Sequence, residues 1–126
     1  MTTNALGTRP ANVVDNNLSS RWTAFGDGQW LQFDLGTFRR VTHAKIAVSS
    51  GDLRNSRFEL QVSYTARPGT WRTVFSGQSS GTTRQEETYD FPDTLARYVR
   101  FVGHGSTVPV PSQWNSLTEV SLFATR

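Results

Sequence analysis

A run of oxygen-bearing side chains, DNNLSS, occupies residues 15–20 of the chain. Asp15, Asn17 and Ser20 are hard oxygen donors at close spacing, the ligand type that calcium prefers. Calcium takes about six to eight oxygens at roughly 2.3–2.6 Å, more than one short loop supplies. A distant carboxylate is therefore expected, and Glu119 in the segment LTEVSLF is the candidate. The alternative is a loop of Asx turns capped by its own side chains, without a metal.

A second polar segment, SSGDLRNSR, holds the densest group of charged and amide side chains in the chain, including Asp52, Arg54 and Asn55. The guanidinium of arginine is a planar fork that can clamp a carboxylate or a pair of neighbouring hydroxyls. Carbohydrate sites combine such polar groups with an aromatic face that packs on sugar C–H groups. These three side chains are therefore candidate ligand contacts.

Aromatic side chains in other predicted loops are candidate contacts for the same ligand. Trp114 precedes the last apolar stretch and would offer a stacking face, or its ring would instead plug the end of the fold. Phe25 lies in the glycine-rich string TAFGDG, where an exposed apolar tip suggests a contact. His104 would hydrogen-bond a sugar hydroxyl, or it would be an ordinary surface residue. Trp30, Trp71 and Tyr98 are assigned to packing or to structural polar contacts.

Six short segments that could position these residues alternate apolar and polar side chains with a period of two: QWLQFDLG, THAKIAVS, RFELQVS, TWRTVFS, ARYVRFVG and LTEVSLF. This pattern is typical of half-buried strands, and no stretch has the helical period. Many short strands separated by polar turns predict an all-β antiparallel sandwich that forms a single domain over residues 1–126. Residues 1–28 are predicted to be mostly loop, and a cation joining Asp15 to Glu119 would hold that loop in place.

The composition excludes several classes of function. The chain has 126 residues, no cysteine and a net charge of +3, with its twelve arginines scattered along the sequence. A nucleic-acid binder usually has a denser stripe of basic residues, so nucleic acid is not an expected partner. No apolar run approaches the ~18 residues that span a bilayer. The two histidines, His43 and His104, have no partners in a nucleophile motif, a metal motif or a phosphate-binding motif, so no enzyme is expected.

Four segments in register carry a family resemblance: PANVVDNNLSSRWTAFGDGQWLQFDLG, SRFELQVSY with TWRTV, ARYVRFVG, and WNSLTEVSLF. They resemble the discoidin, or coagulation-factor C-type, domain, and are most similar to bacterial family 32 carbohydrate-binding modules. The resemblance covers nearly the whole chain and implies a jelly roll of about eight strands that binds ligands through loops at one end, without catalysis. The strings GDGQW, SGQSSGTT and VGHG resemble modules attached to alginate lyases, which implies a secreted module with an attached catalytic domain.

The resemblance also implies a structural calcium site. Here Asn16 stands where the family usually has glycine, and asparagine tolerates the left-handed backbone of such a turn. Carried over by position, the ligands would be the Asp15 carboxylate, the carbonyls of Asn12 and Asn17, the hydroxyl and carbonyl of Ser20, the Thr118 carbonyl and the Glu119 carboxylate.

The string GDxR recurs in the relatives linked to alginate lyases, and here it is Gly51–Arg54. It favours an acidic polysaccharide, alginate or another polyuronate, as the ligand. Those relatives usually have an aromatic residue or a lysine where this chain has Ser49 and Ser50, which implies a weaker or altered binding mode. The alternatives are a galactose-type lectin module, or a domain that binds phospholipid surfaces or proteins. A membrane partner is less expected because the membrane-binding members hold a disulfide.

Overall fold

The computed structural model of the protein describes the backbone of residues 11–125 and the side chains of residues 22–125. Every long regular element in this part is a β-strand, and all strand pairs are antiparallel. Within it there is no helix long and apolar enough to cross a membrane. The strands are β1 (Ala11–Phe25), β2 (Gln29–Val48), β3 (Arg57–Ser63), β4 (Arg72–Gln78), β5 (Glu87–Gly103) and β6 (Trp114–Thr125).

The strands form one hydrogen-bonded sheet in the order β1-β6-β2-β5-β3-β4, which folds over into two layers. β2 and β5 run through both layers. The register between them breaks between Asp34 and Arg39 of β2. Gly36, inside this break, has a φ of 84°, in the left-handed region that favours glycine. The first half of β2 therefore pairs in the layer of β3 and β4, and its second half pairs in the layer of β6 and β1.

The prediction of an all-β antiparallel jelly-roll sandwich is confirmed. The sequence predicts about eight strands, whereas the structure has six continuous ones, because β2 and β5 bend between the layers without ending. Counted by layer, the two long strands contribute two segments each. The difference is therefore one of continuity at two bends and leaves the architecture unchanged.

The two layers pack face to face through one cluster of buried apolar side chains. Phe58 on β3 contacts Tyr89 on β5 in the opposite layer, with ring centroids 4.9 Å apart, and Trp22 on β1 contacts Phe101 on β5 at 5.9 Å. Fully burying one such side chain contributes roughly 1.5–3 kcal/mol. The other buried members of the cluster are Phe33, Leu35, Val41, Ala44, Ile46, Val48, Leu60, Val62, Phe91, Ala96, Val99, Leu117, Val120, Leu122 and Ala124.

The first strand corrects a prediction, because β1 covers most of the stretch 1–28 that the sequence predicts to be loop. β1 pairs with β6 along most of its length, beginning with Ala11 opposite Ala124. This pairing uses backbone groups, so it does not require the alternation of apolar side chains from which strands are predicted. Residues 1–10 lie outside the described part of the chain.

A second correction concerns β4, where the alternation predicts that Trp71, Thr73 and Phe75 share one face. The register with β3 shifts here, since Leu60 pairs with Phe75 whereas the next residue, Gln61, pairs with Thr73. At this bulge, one extra residue of β4 lies between the two residues that pair with β3. As a result Phe75 packs against the core while Thr73 is exposed.

β1 begins and β6 ends at the same pole of the sandwich. Ala11 pairs with Ala124, and Arg40 pairs with Thr125 next to the bend of β2. We call this pole the far end. The opposite ends of the same strands, including Val48 and its partner Leu117, lie at the other pole.

Candidate functional site

Four connections between strands meet at the pole opposite the far end. The amide of Ser79 donates to the carbonyl of Ser56 at 2.9 Å, and the amide of Gly26 donates to the carbonyl of Gln113 at 2.9 Å. We call this pole the loop end; it comprises residues 26–28, 49–56, 79–86 and 104–113. The side chains predicted as ligand contacts all lie in these connections or directly beside them: Phe25, Asp52, Arg54, Asn55, His104 and Trp114.

Phe25 and Trp114 form an exposed aromatic pair at the loop end. They are cross-strand partners, and their ring centroids lie 5.0 Å apart at an interplanar angle of 67°. Their exposed fractions are 57% and 49%. Trp114 therefore does not plug the end of the sandwich, which was the alternative that the sequence left open. An edge-to-face pair of this kind contributes about 0.5–1.5 kcal/mol and fixes the orientation of both rings.

His104 lies between two carboxylates. Its Nδ1 is 2.5 Å from Oδ1 of Asp27, and its Nε2 is 3.0 Å from Oε2 of Glu59. Burial of the ring lowers the pKa of His104, but the hydrogen bonds to Asp27 and Glu59 outweigh burial and raise the pKa above its ordinary value. Both ring nitrogens are thus engaged, and a sugar hydroxyl would have to displace a carboxylate to reach His104.

The side chain of Asn55 is buried, with 3% of its surface exposed. Its Nδ2 donates to Oε1 of Gln78 and to Oγ1 of Thr107, both at 3.0 Å. Its Oδ1 accepts from the backbone amides of Thr107 and Val108, both at 3.0 Å. The sequence predicts Asn55 as a ligand contact, but its amide is fully used in joining three segments of the loop end. The geometry therefore makes Asn55 a residue that positions the loops.

Arg54 is anchored through one nitrogen. Its Nε donates to the carbonyl of Ser49 at 3.0 Å, and its side chain is half-buried. Among the side chains that the structure describes, none accepts a hydrogen bond from its two terminal nitrogens. Asp52, in contrast, is paired with Arg84 at 2.7 Å, and that hydrogen bond lowers the pKa of Asp52. No pattern in the sequence points to Arg84, which comes from a different loop.

Gly51 lies at a point where the loops 49–56 and 79–86 approach each other closely. A Cβ placed on it would lie 2.3 Å from the carbonyl oxygen of Thr83, a distance that side chains do not tolerate. The glycine of the GDxR string therefore allows two loops to touch. That contact brings Arg84 beside Asp52, while Arg54 has no carboxylate partner among the side chains that the structure describes.

Exposed apolar tips surround these polar groups. The structure describes nine large exposed apolar side chains, and five of them lie in the loop end or directly beside it. Besides the aromatic pair, these are Leu53, Val108 and Val110, with exposed fractions of 64%, 54% and 65%. The loop end thus presents both apolar and cationic groups to a ligand.

The predicted cation ligands occupy β1 and β6. Asn17 pairs with Glu119, and the four residues 18–21 lie opposite Thr118 alone, so β1 loops out at this point. The carboxylate of Glu119 is half-buried and lines a polar cleft of about 430 Å³. Among the described side chains, none donates a hydrogen bond to it. The half-buried Glu119 carboxylate beside this backbone excursion is a candidate oxygen ligand for a hard cation such as calcium, although Lys45 and Arg84 line the same cleft.

The structure corrects one member of the predicted ligand set. Asn12 pairs with Phe123, four residues along β6 from Glu119. At about 3.4 Å per residue, an extended strand places Asn12 roughly 13 Å from that position. The sequence predicts a tight loop that would bring both residues to one ion, and the extended β1 separates them. The side chains of Asp15, Asn17 and Ser20 lie outside the described part, and among the described side chains no group of three acids or histidines is arranged to hold a metal.

The family model described as F5/8 type C domain matches residues 2–122 of the chain. Among solved structures, the CBM32 of AlyQ in complex with 4,5-unsaturated mannuronic acid is 37% identical with a TM-score of 0.76; the match covers 91% of this chain and 93% of that one. No protein with a curated description matches the chain.

Two further solved structures are similar. A truncated AlyQ with CBM32 and alginate lyase domains is 35% identical with a TM-score of 0.80, and the match covers 94% of this chain and 34% of that one. This chain therefore spans about a third of that two-domain protein. A pectin-binding carbohydrate-binding module is 19% identical with a TM-score of 0.76, over 96% of this chain and 91% of that one, a likeness in fold.

Proposed function

The chain belongs to the F5/8 type C, or discoidin, domain family and is similar to its family 32 carbohydrate-binding modules, and we propose that it binds an acidic polysaccharide, alginate or another polyuronate, without catalysing a reaction. The solved relative of 37% identity that holds 4,5-unsaturated mannuronic acid supports a uronate ligand. The observation that carries the proposal is Arg54, which is anchored by Ser49 and whose two terminal nitrogens have no partner among the described side chains.

The chemistry of the loop end suits this ligand. A sugar carboxylate would accept two parallel hydrogen bonds from the terminal nitrogens of Arg54, the arrangement in which arginine binds carboxylates best. Because Arg84 already neutralises Asp52, that carboxylate repels an acidic sugar less. Phe25 and Trp114 would pack on the C–H faces of neighbouring sugar units.

The proposal includes a structural calcium ion. Glu119, Thr118, Asn17, Asp15 and Ser20 would hold it, with Asn12 left out for the reason given above. The ion would pin the excursion of β1 to β6 and supply stability, and it would take no part in ligand recognition. Support comes from the half-buried Glu119 carboxylate in its polar cleft.

We also propose that the domain works as a secreted module that brings an attached catalytic domain to its substrate. The solved AlyQ protein that combines a CBM32 with an alginate lyase domain supports this arrangement. In such a protein the module would keep the enzyme close to a polymer, which raises the effective substrate concentration without any change in the chemistry.

A second candidate function is binding to phospholipid surfaces. The observation that favours it is the set of exposed apolar tips at the loop end, where Leu53, Val108 and Val110 stand beside the cationic Arg54. Apolar tips that insert among acyl chains while arginines meet anionic headgroups would bind a membrane surface. The same tips are also suited to a protein partner.

Titration calorimetry against alginate, polygalacturonate and a galactan, with sedimentation of anionic liposomes in parallel, separates these functions. The proposal expects binding to a polyuronate that weakens as salt is added. Trp114→Ala should weaken acidic and neutral glycans alike, because stacking does not involve the carboxylate, whereas Tyr64→Ala at the far end should change neither. Salt-insensitive preference for galactan would reject the uronate and keep the lectin function. Liposome binding without glycan binding would reject carbohydrate recognition altogether.

A further inference from the structure

The guanidinium of Arg100 is held between two indole rings on the outer face of the layer formed by β3 and β4. Its central carbon lies 4.1 Å from the ring centroid of Trp30 and 3.9 Å from that of Trp71. Its Nη2 also donates to Oε1 of Gln32 at 3.1 Å. These contacts hold both rings in fixed orientations, since the cation attracts the faces of both.

Trp30 is nevertheless half exposed, with an exposed fraction of 50%. The packing role that the sequence predicts fits Trp71, which is partly buried, better than it fits Trp30. Arg100 covers one face of the Trp30 ring, so the exposed surface belongs to its other face and its edge. Apolar area left in water costs about 25 cal/mol per Å². A rigid, exposed ring is the feature on which sugar rings stack.

The surface around Arg100 is rich in neutral hydrogen-bonding groups. Across the sheet, Arg100 pairs with Gln32 on one side and with Gln61 on the other, and Gln61 pairs with Thr73. Amide and hydroxyl side chains in one row offer both donors and acceptors to sugar hydroxyls.

The acidic side chains beside this row are already paired. Asp34 is 3.0 Å from Arg97, which lowers the pKa of Asp34, and Glu59 is 3.0 Å from His104. Neither of these two carboxylates is therefore free to repel an acidic chain. Among the described side chains, Trp30 is the one large exposed apolar residue in this row, whereas a lipid surface would require a wider apolar area.

The turn 26–28 connects this surface to the aromatic pair at the loop end, which lies in the other layer. Trp30 lies two residues beyond Gly28, and Trp30 and Phe25 stand on either side of the turn 26–28. Across the sheet, Val102 lies between Trp30 and Glu59, the partner of His104. Trp30 lies five residues along the chain from Phe25, a span of at most about 18 Å when fully extended, so a polysaccharide that binds the aromatic pair can reach Trp30.

We infer that Trp30 and its Gln32–Gln61 row form a second glycan-binding surface, which engages a polysaccharide chain that extends from the loop end and is too long for that site alone. This inference rests on the proposed function, because it needs a carbohydrate at the loop end. It assigns to the module a preference for polymer over short oligosaccharides, with Trp114 serving both and Trp30 serving the polymer only.

The test is calorimetry of the wild type, Trp30→Ala, Trp30→Phe and Trp114→Ala against an alginate disaccharide and a long alginate fragment, or the matching galactan fragments if the wild type prefers the neutral glycan. Trp30→Ala should weaken binding of the long fragment about fivefold and leave the disaccharide unchanged. Trp30→Phe should retain most of the affinity because it keeps a flat ring. Trp114→Ala should weaken both ligands. In NMR spectra, the Trp30 indole N–H signal should shift with the long fragment only.

Three results would overturn the inference, and each is distinct. If Trp30→Ala binds the long fragment as tightly as wild type does, Trp30 makes no contact, and the loop-end function stands. If Trp30→Ala loses both ligands equally, with a lowered melting temperature, the role of Trp30 is structural. If the wild type binds neither glycan, the proposed function fails first and the inference falls with it.

Discussion

His104 Nε2 lies 3.0 Å from Oε2 of Glu59, and this contact ties the loop after β5 to the outer face of β3. The other ring nitrogen contacts Asp27, so a doubly protonated imidazole satisfies both carboxylates at once. The turn 26–28 connects Phe25 to Trp30. By binding Asp27 in this turn, His104 restricts the backbone that carries both aromatic side chains. Loss of the second proton would release one of the two contacts.

The His104 contacts predict a pH-dependent stability. The pKa of His104 is raised in the folded protein, so the stabilisation is complete below the unfolded value of about 6.5 and is lost as the pH rises through the folded value. The melting temperature of wild type should therefore exceed that of His104→Gln most at low pH, and the difference should shrink as the pH rises from about 6.5 through the raised pKa of His104. A difference that stays constant over this range would contradict the assignment. Melting curves of both proteins in one buffer series give the answer.

Asn55→Ala should destabilise the domain by about 1–3 kcal/mol, because it removes the acceptor of two backbone amides, those of Thr107 and Val108. Urea unfolding measures this loss. Glycan affinity should fall as well, since the loop that precedes Trp114 would lose its anchor. The matched control is Gln113→Ala, an exposed amide of the same loop. Unchanged stability together with lost binding would instead make Asn55 a direct ligand contact, as the sequence predicts.

Arg54→Ala should weaken polyuronate binding by roughly ten- to a hundredfold, the worth of a charge-assisted contact of about 1.5–3 kcal/mol. Its effect on galactan should be small, and the salt dependence of binding should become shallower. Arg54→Lys should recover only part of the affinity, because an ammonium does not form the two parallel hydrogen bonds. Arg67→Ala, in the exposed turn between β3 and β4, controls for net charge. Equal effects of Arg54→Ala and Arg67→Ala would mean that binding responds to charge alone.

Calcium should raise the melting temperature of the domain, and a chelator should lower it. At a free calcium concentration of about a hundred times the dissociation constant, linkage supplies roughly 2.7 kcal/mol. Glu119→Gln and Asp15→Ala should each abolish the response, whereas Asp93→Asn, an exposed acid in β5, should leave it intact. If neither calcium nor chelator changes the melting temperature, the domain holds no calcium ion. The proposed glycan site would not be affected by that result.

Most of the fold follows from local pattern in the sequence. The alternation around Phe33 and Leu35, and around Phe58 and Leu60, places the same side chains in the core that the structure buries. β1 could not be predicted from local pattern, because its backbone pairs with β6, a partner about 100 residues away. The bulge opposite Leu60 could not be predicted either. An extra residue at the bulge moves every later side chain of the strand to the opposite face.

The candidate site is less predictable than the fold. The sequence identifies the loops and their polar side chains, yet the partners of Asp52 and His104 come from segments 32 to 77 residues away. Whether a loop arginine is free or paired depends on these partners. Asn55 and Arg54 are adjacent and equally polar, but burial makes one a positioning residue and leaves the other available to ligand. Such a distinction arises only when the loops pack.

The pairing of Ala11 with Ala124 at the far end determines how the order of the strands along the chain can be changed. Antiparallel partners lie only about 4.5–5.5 Å apart, so a connector of a few residues would close β6 onto β1. New termini opened in the exposed turn between β3 and β4 would then give a circular permutant with the same sheet order. The same geometry means that a bead or surface coupled beside Ala11 would face the far end. A polymer in solution would then approach the loop end without obstruction.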